Sequence, residues 1–140
     1  MKSLEQLCVP REGTFDSQRR DTVLDLTDFV GGHIEPADFF GKNYVTEGMK
    51  TLLEQSFRRL EGSSSQGIFK LKQAMGGGKT HNLLALALLA RYPEYRQQVM
   101  GAFYQPDPAL GPVKVVAFSG RDTGASFGIW GAIAEQLGKK

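Results

Sequence analysis

Three consecutive glycines followed by Lys79 and Thr80 constrain this chain more than any other feature. Residues 74–80 read Ala-Met-Gly-Gly-Gly-Lys-Thr, set between a strand-like run (67–72) and a long apolar stretch (81–91). Strand, glycine turn, lysine, hydroxyl, helix is the order of a phosphate-cradling loop. A polyphosphate carries several negative charges, which curled backbone N–H groups hold with little water. The following helix adds its unpaired N-terminal N–H groups and the positive end of its dipole. Glycine suits such a turn because it accepts positive φ and lets the backbone approach the ligand. Gly76, Gly77, Gly78, Lys79, Thr80 and His81 are therefore the candidate nucleotide contacts, with ATP and Mg2+ as the expected cofactors. Lys79 would reach the β- and γ-phosphates, and Thr80 would place its hydroxyl on the bridging Mg2+. His81, in the first helical turn, either senses the γ-phosphate or packs against the helix start.

One position departs from the full Gly-x-x-x-x-Gly-Lys-Ser/Thr spacing. Its first glycine would stand at 73, where this chain has Gln73. Either Gln73 adopts a conformation that needs no glycine, or Gly76 and Gly77 absorb the turn. The departure bears on loop geometry more than on the chemistry of Lys79 and Thr80.

The 140 residues are enough for one core. A net charge of +2 is too small to argue for nucleic acid or a membrane surface. The lone Cys8 cannot form an internal disulfide, which fits a reducing cytoplasm. No apolar leader opens the sequence, and the longest apolar run, 83–90, is too short to span a bilayer. A cytoplasmic protein with no membrane partner is expected.

Along the chain, residues 22–30 read as a short strand or a helix turn. Their Val-Leu-Asp-Leu-Thr-Asp run resembles a Walker B strand on paper but lies before the glycine loop. Residues 46–61 carry Met49, Leu52, Leu53, Phe57 and Leu60 at helical spacing, with Thr46 as N-cap and Gly62 as stop. Arg58 and Arg59 read as a solvated face in preference to trans-acting arginine fingers. After the apolar helix, Tyr92-Pro93 marks a break and 93–100 a short helix. Residues 102–112 read as a loop and 113–118 as a second strand. A last helix over 126–137 would bury Phe127, Trp130, Ile133, Ala134 and Leu137. Strands alternating with helices imply parallel β-α-β units, with ligands at the strands' carboxyl ends. That rim would hold residues 76–80 together with 119–122, where Arg121 and Asp122 either approach the nucleotide or form a surface pair.

Three segments resemble one family. FFGKNYVTEGMKTLLEQSFRRLEG, IFKLKQAMGGGKTHNLLALALLA and VVAFSGRD followed by GIWGAIAEQLG look like the amino-terminal part of large prokaryotic P-loop ATPases grouped as domain of unknown function 499. The resemblance runs over nearly the whole chain, and its most specific stretch is QAMGGGKTHNLLAL. It implies that Gln73 is typical of the group, and that Gly76, Gly77, Gly78, Lys79 and Thr80 contact nucleotide. It further implies an AAA-like ATPase, noted near restriction or phage-defence genes. The fold expected is α/β: a partial P-loop NTPase domain (46–140), parallel strands flanked by helices, behind a mainly helical N-terminal extension (1–45).

ATPases of this class carry an Asp-Glu strand after the loop, and no such segment follows residue 80. The chain is therefore read as a fragment of a longer ATPase, inactive in hydrolysis alone. In the full-length protein a homo-oligomer is open, and so is the choice of nucleic acid or protein as partner. The alternatives are a non-hydrolysing nucleotide-binding regulatory module and a P-loop kinase. The kinase would need an arginine-rich acceptor lid that the sequence does not show.

Overall fold

The computed structural model describes residues 24–72, 74, 76–120 and 128–138. Its helices are α1 (Leu26–Val30), α2 (Pro36–Lys42), α3 (Glu47–Leu60), α4 (Lys79–Arg91), α5 (Arg96–Met100) and α6 (Gly128–Gln136), with a 3-10 turn at Pro93–Tyr95.

Within the ambiguous run before the glycine loop, Leu26–Val30 is helical, and the acids there have a local task. Asp25 is the N-cap of α1, and Asp28 three residues on completes a capping box. Asp28 Oδ2 accepts the Asp25 N–H at 2.7 Å. Pro36 starts α2, where its missing N–H costs nothing. It lies in the stretch before residue 46 expected to be mainly helical, although no helix was placed at these positions.

The helix expected over 46–61 forms as α3. The Thr46 side chain accepts from Met49 N–H at 3.3 Å, and Gly62 at φ 80° follows the end. Met49, Leu52, Leu53 and Phe57 are buried as their spacing requires, whereas Leu60 at the last turn is 39% exposed. Arg58 pairs with Glu54 at 2.8 Å on the solvent side. Helix α4 lies against α3 and α1, burying Leu84, Ala85, Ala87, Leu88, Leu89 and Ala90. Phe29, Ile34, Phe39 and Phe40, from before residue 46, share that same core with Phe57, Leu84, Leu88 and Met100.

The expected α/β fold with parallel strands is not what forms. Among the described residues the structure is helical and contains no strand. The reason lies in partners. A strand exists only through a ladder of backbone bonds to another strand, and neither candidate segment has one. Of residues 67–72, Ile68 is 84% exposed and Gly67, Lys70 and Lys72 are exposed, while Phe69 and Leu71 are half-buried. Their alternating lysines leave too little apolar surface to bury on two faces, as a parallel sheet requires. Residues 113–118 are bonded instead to helices. Val113 N–H donates to Ala90 O at 2.8 Å. The Gln136 side-chain amide takes both groups of Ala117, accepting its N–H at 3.1 Å and donating to its carbonyl at 2.8 Å.

The last helix also departs from expectation. α6 is Gly128–Gln136, and it buries Ala132 where Trp130 was expected; Trp130 is 77% exposed. Ile133 and Ala134 are half-buried and Leu137 is exposed. Phe127, Ser126, Arg121, Asp122, Gln73 and Cys8 lie outside the described residues.

Candidate functional site

The glycine loop runs straight into α4. Gly76 at φ 80° and Gly78 at φ 71° are both left-handed, and Gly78 is the helix N-cap. A Cβ at either position would meet nothing within 4 Å. Within the chain, then, the demand for glycine is conformational rather than steric. Gly78 has no side chain with which to cap α4. The first N–H groups of a helix have no intrahelical partner, so this end presents donors and positive dipole to whatever lies over the loop.

Lys79 begins α4 and folds back over the loop. Its Nζ donates to Ala74 O at 2.8 Å, and the same carbonyl accepts Gly77 N–H at 3.1 Å. The ammonium therefore sits across the mouth of the turn that the glycines make. Gly76, Gly77, Gly78 and Thr80 are exposed, and Lys79 is half-buried. The structure thus brings Gly76, Gly77, Gly78, Lys79 and Thr80 together on one open helix start.

His81 is placed differently. It lies in the first turn of α4, stacked on the Phe39 ring with centroids 4.6 Å apart and planes at 25°. Its Nε2 is 2.6 Å from Asn43 Oδ1, at the C-terminal cap of α2. Burial pushes the imidazole below its ordinary pKa. Phe39 and Asn43 gave no signal in sequence, because only the fold brings residues about forty positions apart against the helix start.

A second polar centre was also missed. Arg96 is 5% exposed and hands its guanidinium to backbone carbonyls. Nε donates to Leu89 O at 2.8 Å, Nη2 to Ala90 O and Gly111 O at 3.0 Å each, and Nη1 to Leu110 O. It also lies over the Phe57 ring at 5.1 Å. Arg96 satisfies the orphan carbonyls at the end of α4 and pins residues 110–111 to it. Burial lowers its pKa, with the Glu61 and Glu94 charges opposing the shift. The cue available in sequence was an arginine five residues beyond the end of an apolar helix.

Residues 6–102, well over half of the chain, match the DUF499 N-terminal domain. The chain belongs to the DUF499 family. Neither the curated proteins nor the solved structures gave a match. The matched span of this DUF499 chain takes in α1 to α5 and the whole glycine loop. No helix among the described residues is long and apolar enough to cross a membrane. Among the same residues, no cluster of three or more His, Cys, Asp or Glu side chains could hold a metal ion.

Proposed function

We propose that this DUF499 chain binds Mg-ATP through a Walker A-type loop at Gly76, Gly77, Gly78, Lys79 and Thr80. The observation that carries the reading is the pair of left-handed glycines feeding a helix start over which Lys79 folds. It rests on the loop and the helix end, not on a sheet. On this reading Lys79 supplies the charge for the β- and γ-phosphates, and the Thr80 hydroxyl is the Mg2+ ligand from this chain. The bound group stays accessible to water, because the loop is exposed on its outer side.

The second reading, nucleotide binding without turnover, is favoured by where the described carboxylates lie. Asp25 and Asp28 close a capping box, and Asp38, Glu47 and Glu54 pair with Lys42, Lys50 and Arg58. Glu61 accepts from Tyr104 and from Asp107 N–H. None of these is committed to orienting a water over the loop. Separately, on the family resemblance, we propose that the chain is the nucleotide-binding part of a larger cytoplasmic ATPase of the restriction or phage-defence kind.

Fluorescent Mg-ATP titrated into wild type and Lys79→Ala tests the site. The wild type should bind and the variant should lose about ten- to a hundredfold in affinity, the worth of a hydrogen bond to a charged group. Equal affinities would remove the assignment. Steady ATP turnover that disappears in Lys79→Ala would overturn the non-hydrolysing reading while leaving the site in place.

A further inference from the structure

We infer that His81 is a positioning residue for the phosphate-binding loop, anchoring the first turn of α4 to α2; the inference rests on the nucleotide reading above. The first turn of a helix is its least constrained part, because its N–H groups have no partner one turn back. Here that turn carries the groups that matter, Lys79 and Thr80. The apolar contacts of Leu84, Leu88 and Leu89 fix α4 further along its length. At the first turn the His81 side chain ties α4 to another helix through two contacts of different chemistry. Stacking on buried Phe39 sets the plane of the ring, and the bond to Asn43 Oδ1 sets its direction. A stack alone would let the turn slide.

The carboxamide oxygen of Asn43 only accepts, so Nε2 carries the proton and donates. The orientation of Asn43 is supported from its other end, where Nδ2 faces Met49 Sδ at 3.6 Å. With Nε2 committed to Asn43, the imidazole acts on the loop by holding the turn, rather than by reaching a phosphate through that nitrogen.

The test is Mg-ATP affinity and thermal melting of the full chain carrying His81→Phe, Asn43→Ala, both together, or His81→Gln. His81→Phe keeps a ring and loses the donor, and Asn43→Ala removes the acceptor from the other helix. Each should weaken binding about tenfold, the effect of one hydrogen bond. The double variant should be no weaker than either single one, since both break the same bond. His81→Gln, which restores a nitrogen donor at about the same reach, should recover most of the affinity. If His81→Phe does not fold, Asn43→Ala carries the same comparison from α2. A merely structural role predicts lower melting temperatures with wild-type affinity well below the midpoint. That result overturns the inference, as do additive losses in the double variant. Lys79→Ala separates the two levels. If it abolishes binding while the His81 and Asn43 variants bind normally, only the positioning role falls. If Lys79→Ala binds like wild type, the nucleotide reading falls and takes the positioning role with it.

Discussion

The two ends of α4 solve opposite problems. At its C-terminus, Arg96 fills the orphan carbonyls of Leu89 and Ala90 from within the protein, and reaches across to Leu110 and Gly111. At its N-terminus, Gly78 offers no cap and the glycine loop is left in the open. One end is sealed and the other presents its donors. Unmet hydrogen-bonding groups are costly when buried but useful where a charged ligand can meet them. The proposed nucleotide reading needs this asymmetry: α4 is sealed at its C-terminal end, while its first turn, tied to α2 through His81, stays open.

The sharpest way to break this comparison is at the sealed end. Arg96→Ala should destabilise the fold by about 3 kcal/mol or more, because several buried carbonyls lose a charged donor at once. Urea unfolding would show the midpoint falling with little change in slope. ATP affinity measured on the remaining folded protein should stay near wild type, since Arg96 is at the far end of the helix from the loop. A cost below about 1 kcal/mol would mean that the guanidinium is dispensable and that apolar packing alone holds this end.

Sequence reasoning read these regions unequally, for physical reasons. Helix α3 was legible because its period and both of its caps agree: Thr46 caps the start and Gly62 turns left-handed just past the end. The glycine loop was legible because positive φ leaves few choices of residue at positions 76 and 78. The strands were misread for the complementary reason. Alternation in residues 67–72 reports a local preference, but strand formation is settled by a partner that local sequence does not name. Trp130 was assigned to a buried face by spacing alone, and spacing does not say which face of α6 meets the rest of the protein. Phe39, Asn43 and Arg96 escaped notice because their importance comes from contacts or hydrogen bonds made only in the folded chain.

A smaller effect should come from the tie between α3 and the loop after α5. Tyr104 donates to Glu61 Oε2 at 2.6 Å, and Asp107 N–H donates to Glu61 Oε1 at 2.9 Å. The bond to Glu61, then burial, raises the phenol pKa, with the nearby Arg58 charge opposing. A raised folded-state pKa stabilises the protein below the unfolded value of about 10. That contribution is lost as pH climbs through the folded-state value. Tyr104→Phe should therefore cost about 1 kcal/mol at neutral pH and flatten the loss of stability above about pH 10. A pH–stability curve identical to wild type on the alkaline side would show that the phenol is not coupled to folding.

The smallest effects belong to the exposed apolar residues, and there a null result is the informative one. Ile68 and Trp130 are large apolar residues at 84% and 77% exposure. If the body alone sets stability, Ile68→Ser and Trp130→Ala should each change it by no more than about 0.5 kcal/mol. Leu88→Ala, at a site 1% exposed, should cost about 2–5 kcal/mol in the same assay. Trp130 is the chain's single tryptophan, so tryptophan fluorescence reports on α6. Its emission should be that of a hydrated indole, and acrylamide should quench it nearly as well as it quenches free tryptophan. A blue-shifted, protected indole would mean that α6 docks through the Trp130 face after all. A destabilisation of Trp130→Ala approaching that of Leu88→Ala would say the same by an independent route, because an indole in water has no packing to lose.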